Sequence, residues 1–369
     1  MRSYNATGAE QSVGGAAAAT LQPRDADRRI FASHVPATYA ALDLGTNNCR
    51  LLVARPQRDP EHCGAENFRI VDAFSRIVRL GEGLSQSGRL SDAAIRRTLD
   101  ALLVCRDKMM ARGVTRARLI ATEACRAAEN GPEFIEKVRE EVGLRLEVIS
   151  RETEARLAAA GCAALVDSAA KSVVLFDIGG GSSEIVWLGP ERGRDKGLEK
   201  GLGERIRHWT SLKLGVVTLA ERFGGSEVTY AQFNAMTDLV VSELQHFIAS
   251  AAQEERCQRF HLLGTSGTVT TLAGVHLNLA RYDRRRVDGL WMSHAEIEAV
   301  MNRLRGMSYA ERSQNSCIGP DRADLVLAGC AILEGIRRSF PSERIRIADR
   351  GLREGMLLEL MRADRSFAF

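Results

Sequence analysis

Two stretches of this chain share one pattern of apolar and polar positions. Val173–Phe176 is an apolar, β-branched run of the kind that forms a buried strand. Asp177 ends it, Gly179, Gly180 and Gly181 follow, and Ile185–Leu188 is apolar again but too short for a helix. Strand, glycine turn, strand is the element this predicts, with a carboxylate at the lip of the turn. Ala41–Val53 repeats the plan: Asp43 matches Asp177 and Gly45 matches Gly179, 134 residues apart. A repeat at that spacing predicts two related domains, each offering an aspartate and a phosphate-sized turn, which together make a cleft.

The rest of the pattern alternates strand and helix. A third strand is expected at Phe68–Ala73, after a polar loop at 57–66, and another at Arg118–Thr122. Ser91 caps a helix to about Arg112, with Ile95, Leu99, Leu102, Leu103 and Met110 on one face and Met109–Met110 read as core. A helix opens at Asn130 or Gly131, buries Phe134, Val138 and Val142, and closes at Gly143. Leu144–Ile149 reads as a strand, Ser150–Leu165 as an alanine-rich helix, Leu212–Leu219 as a strand and Glu227–Ala252 as a helix. Residues 189–207 are charged and glycine-rich and read as an exposed loop. Phe260–Thr270 reads as strand, Gly/Ser/Thr turn and helix, Asp324–Arg338 as an amphipathic helix, and Ile345–Ile347 as a last strand before Gly351 and the final helix.

The turns carry the chemistry. Three consecutive glycines leave backbone N–H groups open to an anion, with the Ser182 and Ser183 hydroxyls beside them. Asp177 would repel that anion unless a hard cation such as Mg²⁺ lies between. The alternative is a plain hairpin whose glycines serve only the turn. Gly45, Thr46, Asn47 and Asn48 offer a second such turn. Gly264, Thr265, Ser266, Gly267 and Thr268 offer a third, at a helix start that suits phosphate but lacks the lysine of a Walker loop. Arg79, in Arg79-Leu-Gly-Glu-Gly, is either a phosphate ligand or a solvated arginine. Glu123 stands just past a strand end, where open α/β sheets bind ligands, and is otherwise a surface glutamate. Glu154 either answers the dipole of its helix or ligates metal or water. The four arginines of 281–286 read better as a solvated loop than as a polyanion track.

Composition narrows the class. The chain has 369 residues, enough for two cores, with 45% hydrophobic residues and a net charge of +4, too mild to argue for nucleic acid. Its eight cysteines form no Cys-x-x-Cys pair, which fits reduced core residues of a cytoplasmic protein and not a zinc site. No run has the length of a membrane helix. Met1–Pro36 reads as a disordered tail and not a signal peptide.

Five motifs in order, Asp43-Leu-Gly-Thr-Asn-Asn, Arg79-Leu-Gly-Glu-Gly, Ala121-Thr-Glu-Ala-Cys-Arg, Asp177-Ile-Gly-Gly-Gly-Ser-Ser-Glu and Gly351-Leu-Arg-Glu-Gly, give the chain its resemblance. It resembles the exopolyphosphatase / guanosine pentaphosphate phosphohydrolase family, within the actin, heat-shock chaperone and sugar kinase superfamily, in the short two-domain form. That resemblance implies an α/β fold of two actin-like (ribonuclease H-like) domains with an interdomain cleft. The expected division is a first domain of 37–121 plus 353–369 and a second of 122–352. The resemblance implies Glu123 as general base, Glu154 assisting water or metal, and Asp43 and Asp177 organising Mg²⁺, with a monovalent cation such as K⁺ as a further candidate. The turns at 45–48, 179–183 and 265–268 would cradle phosphates. Asn48 departs from the usual serine or threonine, which puts its role in doubt. The expected substrate is inorganic polyphosphate, with the guanosine pentaphosphate as the close alternative. A superfamily kinase and a nucleotide-gated binding module are the more distant ones. No nucleic-acid or membrane partner is expected, and the resemblance adds a homodimer as a candidate assembly.

Overall fold

The two runs that lead into Asp43 and Asp177 form the strands their pattern predicts, and the glycine turn after each aspartate takes the chain out of the strand. In the computed structural model, which describes residues 37–57, 67–190, 205–254, 260–364 and 366, the first half contains ten elements. They are β1 (Tyr39–Leu44), β2 (Asn48–Gln57), β3 (Asn67–Ile77), α1 (Leu84–Ser87), α2 (Asp92–Ala111), β4 (Arg116–Ala121), α3 (Glu123–Ala127), α4 (Gly131–Val142), β5 (Glu147–Val148) and α5 (Arg151–Cys162). The second half has β6 (Ser172–Ile178), β7 (Ser183–Leu188), β8 (Ile206–Leu212), α6 (Val216–Phe223), α7 (Tyr230–Glu254), β9 (Phe260–Thr265) and α8 (Gly267–His276). It continues with α9 (Arg284–Val287), β10 (Trp291–Ser293), α10 (His294–Gly306), α11 (Tyr309–Gln314), α12 (Val326–Ser339), β11 (Arg344–Ala348) and α13 (Leu352–Ala363). The tail expected at 1–36, the loop at 58–66 and most of the charged loop (191–204) lie outside the described residues.

The strands make two mixed sheets, ordered β3-β2-β1-β4-β5 and β10-β11-β9-β6-β7-β8. In each, a leading hairpin pairs antiparallel (β1 with β2, β6 with β7) and its first strand runs parallel to a later one (β4, β9). The same plan thus occurs twice, which is what the 134-residue repeat requires.

Packing explains the layers. The outer face of the first sheet buries Leu42, Leu51 and Val53 against α2 and α4, and its inner face buries Tyr39, Leu52 and Ile120 against α13. The second sheet packs α7, α8 and α12 on one face and the alanine-rich α5 on the other. Helices α5 and α13 meet between the sheets at glycines: a Cβ on Gly161 would lie 1.9 Å from the Gly351 carbonyl oxygen, and one on Gly355 would lie 2.0 Å from the Leu157 oxygen.

Several expectations change. Leu212–Leu219 is not a strand: β8 ends at Leu212, and Gly215 starts α6 with Val217 and Leu219 on its buried face. The strand at 144–149 shrinks to Glu147–Val148. Met109 is buried, but Met110 is 73% exposed. Helices α3 and α4 pack in the core of the first sheet, and β5 joins its edge next to β4. We therefore propose that the division runs after Ile149 and not after residue 121. Among the described residues, no helix is long and apolar enough to cross a membrane.

Candidate active site

The two Asp-x-Gly turns close in the same way. Gly45 N–H donates to the Asn48 carbonyl at 2.9 Å, and Gly179 N–H to the Ser182 carbonyl at 2.9 Å. The turns touch each other: a Cβ on Gly180 would come within 3.0 Å of the Thr46 Cβ, and one on Gly181 within 2.7 Å of the Thr46 hydroxyl. These glycines are thus required by the opposing turn as well as by any ligand. A Cβ on Gly215, at the start of α6, would strike the Gly180 carbonyl carbon at 2.3 Å. The third turn holds Ser266 at φ 88, a strained value for a non-glycine residue. The Ser266 hydroxyl, donating to the Ile178 carbonyl at 2.6 Å, locks this turn to the second hairpin.

Together these turns line a cleft of about 1190 Å³ including its open mouth. Asp43, Gly45, Thr46, Asn47, Asn48, Glu123, Glu154, Asp177, Gly179, Gly180, Gly181, Ser182, Thr265, Ser266, Gly267 and Thr268 all border it. Three expected residues do not. Arg79 ion-pairs with Asp324 at 3.0 Å and donates to the Asp321 carbonyl at 3.2 Å, clasping the first half to the second outside the cleft. Ser183 turns inward and donates to the Leu214 carbonyl at 2.7 Å. Gly264 lies within β9, where a Cβ would meet the Phe176 ring at 2.5 Å.

Glu123, 8% exposed, is held from two sides. Arg126 Nη2 donates to its Oε2 at 2.9 Å, and Arg151 Nη2 donates to its Oε1 at 2.7 Å. Arg126 also donates to Glu154 at 2.8 Å, so one guanidinium bridges both carboxylates. The sequence reading passed over Arg126, Arg151, Arg50, Glu184, Arg353 and Glu354. Strand alternation was the signal for two of them, since Arg50 pairs across its hairpin with Asp43 and Glu184 with Asp177. Arg284 is also more than a solvated arginine: it pairs with Glu354 at 2.7 Å behind the cleft.

The charges are crowded. Burial pushes Asp177 up to about 6, with Asp43 adding to the rise and Arg50 opposing it. Burial pushes Glu184 up to about 7, reinforced by Asp177 and opposed by hydrogen bonds from Ser182 at 2.8 Å and Ser211 at 2.9 Å. Glu154 is raised by burial and by Glu184, against Arg126. Asp43 is raised by burial, against Arg50 and Arg353. Burial would raise Glu354 too, but Arg353, Arg284 and the Gly351 N–H outweigh it and hold that carboxyl below its ordinary range.

A carboxyl raised in the folded state keeps its proton where the unfolded chain has lost it, so its contribution falls as pH rises from about 4.5 to about 7. Above that range Glu184 is a buried charge that destabilises the fold. Glu184→Gln, which cannot ionise, should therefore melt a few degrees higher than the native chain at pH 8 in divalent-free buffer, with a smaller gap at pH 5. Thermal melts at the two pH values check this, and a gap that does not grow with pH would contradict it.

Among the described residues no three His, Cys, Asp or Glu side chains converge as a ready metal cage. The donors are nevertheless of the right kind for a hard dication. Asp43, Asp177, Glu154 and Glu184 are oxygen ligands whose mutual repulsion a dication would relieve. Mg²⁺ characteristically takes one or two carboxylates and completes its shell with water and substrate phosphates. The buried Asn47 Oδ1, left without a hydrogen-bond partner, is a further oxygen in the cleft.

Comparison with known proteins places the chain in a family. The chain is 28% identical to exopolyphosphatase 2 of Mycobacterium tuberculosis over 333 residues, covering 87% of this chain and 98% of that one. It is 28% identical to a guanosine-5'-triphosphate,3'-diphosphate pyrophosphatase of Photobacterium profundum, covering 88% of this chain but 59% of the relative. A bifunctional 3-dehydroquinate synthase/phosphatase of Fusobacterium nucleatum is also 28% identical, and this chain spans 46% of its length. Among solved structures, an Aquifex aeolicus Ppx/GppA protein superposes with a TM-score of 0.70 at 28% identity, covering 89% of this chain and 98% of that one. An exopolyphosphatase from Cytophaga hutchinsonii shares the fold, with a TM-score of 0.77 at 22% identity over 88% of this chain and 98% of that one. The Ppx/GppA phosphatase family matches residues 59–364. With its paired turns, its glutamates at the cleft and this match over most of its length, the chain belongs to the Ppx/GppA phosphatase family.

Proposed function

We propose that this chain removes terminal phosphate from inorganic polyphosphate by attack of water on the end phosphoryl group. Its family acts on phosphoanhydride bonds, and the M. tuberculosis relative, matched over nearly its whole length, is named an exopolyphosphatase. The observation that carries the reading is the cleft itself: two Asp-x-Gly turns in contact, a third at the start of α8, and Glu123 fixed beside Gly181.

Phosphoryl transfer asks the protein for position and charge more than for covalent chemistry. Backbone N–H groups of the turns at 45–48, 179–182 and 265–268, other than those of Gly45 and Gly179 that close the turns, bind the phosphate oxygens. Glu123, held by Arg126 and Arg151, orients water in line and accepts its proton, with Glu154 beside it. Asp43 and Asp177, with Glu184 at hand, would hold Mg²⁺, which when bound neutralises the charge that builds on the phosphates. The closed turns limit bulk water around the reacting group.

One feature of the cleft favours the guanosine pentaphosphate as a second reading. Val216, Leu325 and Val326 form an apolar wall, useful to a nucleobase and of no use to a bare polyphosphate. Phosphate release from long-chain polyphosphate and from guanosine pentaphosphate, measured in parallel with and without Mg²⁺, decides between them. The expected result is faster release from polyphosphate, lost on chelation. Faster release from the nucleotide would make the second reading the function. Release from neither would overturn both.

A further inference from the structure

A second recess lies on the second half of the chain, between α7, α10 and α12. It measures about 1170 Å³ including its open mouth, enough for a ligand the size of a nucleotide. Helix α12 runs from one place to the other: Val326 at its start borders the cleft, while Arg337 and Arg338 near its end line the recess. At 1.5 Å per residue the two lie about 17 Å apart.

The recess is built around one guanidinium. The Arg305 guanidinium carbon lies 4.8 Å from the centre of the Tyr230 ring and 4.6 Å from that of Phe233, so two ring faces brace it. Its N–H groups are barely used. The one hydrogen bond, to Asn302 Oδ1, spans 3.4 Å, and among the described residues no carboxylate pairs with it. The other two arginines of the recess are neutralised, because Arg337 donates to Glu334 at 2.8 Å and Arg338 to the same carboxylate at 2.9 Å. Glu298, the other acid here, stands 4.0 Å from His294 Nε2. In the last turn of α10 Arg305 also answers the helix dipole, but that role needs only its charge. Tyr230 is 68% exposed, so much of its ring is open to a ligand.

We propose that this recess is a second ligand site, for a nucleoside diphosphate. Arg305 takes the phosphate oxygens on its free N–H groups, and the open part of the Tyr230 ring stacks against the base. A guanidinium braced by rings meets an anion with its orientation already set and loses little freedom on binding. A bare anion would leave the Tyr230 ring uncovered, and an uncharged ring would leave Arg305 without a counter-charge, so the ligand carries both. Asn234 and Asn302 add amide groups that can both donate to and accept from a base edge. The site stands apart from the hydrolase reading, since none of its residues borders the cleft.

The probes are ADP and GDP, each titrated calorimetrically in divalent-free buffer, where the cleft carboxylates repel phosphate. The native chain should bind at least one of them, and should bind inorganic pyrophosphate or the free nucleoside at least tenfold more weakly. Arg305→Gln and Tyr230→Ala should each weaken nucleotide binding at least tenfold. Arg305→Lys, which keeps the charge without the planar group, should recover only part of the loss. Arg303 sits on the same helix but outside the recess and donates to Asn278 at 2.7 Å. Arg303→Gln removes an equal charge and should leave binding within about twofold. Phosphate release by Arg305→Gln should match that of the native chain, which separates this site from the cleft. Thermal melts show which variants fold, and Tyr230→Ala, at an exposed ring, stands in if Arg305→Gln does not. Absence of binding by either nucleotide would overturn the site, as would binding that the folded Arg305 and Tyr230 variants retain. Pyrophosphate bound as tightly as ADP would overturn the assignment of a nucleotide.

Discussion

Glu123→Ala should lower kcat for phosphate release by roughly 10²–10⁴, with KM changed only a few-fold. The side chain is 8% exposed and borders the cleft through a contact with Gly181, whose Cβ would lie 3.2 Å from Glu123 Cγ. Its two oxygens take hydrogen bonds from Arg126 and Arg151, so its orientation is set before substrate binds. A carboxylate acting on the attacking water in the transition state, as proposed for Glu123, contributes little to ground-state binding, hence the expected split between kcat and KM. Alanine also leaves the two guanidiniums facing a gap, so Glu123→Gln, which keeps the shape and one acceptor, is the paired variant. Both should lose turnover while the glutamine variant melts close to the native chain. Steady-state phosphate release across a polyphosphate concentration series measures this, and turnover near normal in Glu123→Gln would remove the residue from the chemistry.

Gly355→Ala should destabilise the fold by about 3 kcal/mol, a large value for one methyl group. The added carbon would sit 2.0 Å from the Leu157 carbonyl oxygen and 2.8 Å from its carbon, both backbone atoms of α5 that no rotamer change can move aside. Relief requires α5 and α13 to part. That would also disturb the Tyr39, Leu52, Ile120 and Met356 core, to which Leu157 belongs. Function should suffer with stability, because α5 carries Glu154 and α13 begins at Arg353 and Glu354, all on the cleft. Chemical denaturation gives the free energy, and a midpoint like that of the native chain would show that the helices do not cross this closely. Gly113→Ala is the contrasting variant: that glycine has nothing within 4 Å of its Cβ position, so its cost comes from φ 61 alone and should be about 1 kcal/mol.

Local pattern was enough for much of this. The 134-residue repeat, the turns at 45–48 and 179–182, the Ser91 cap and the Gly143 stop are all written in neighbouring residues, because hairpins, caps and glycine stops are decided by the few residues that form them. The family resemblance came from the same short motifs. Long-range geometry decided what those motifs could not. Arg79 looked able to reach a phosphate, but its partner is Asp324, 245 residues away. Leu212–Leu219 looked like a strand, but Gly215 packs on Gly180 and the N–H groups of Val216 and Val217 bond the Gly179 and Gly180 carbonyls, which starts a helix.

The chain by itself thus determined where it turns, which faces it buries and which carboxylates stand at the turns. The fold alone decided that the two turns press against each other, that Arg126 bridges Glu123 and Glu154, and that Arg50 and Glu184 line the same cleft as Asp43 and Asp177. The physical reason is that a hairpin or a cap is stabilised within one short segment. The charge balance of a cleft, in contrast, depends on which distant side chains share a low-dielectric space, and only the packing of the two sheets brings them there.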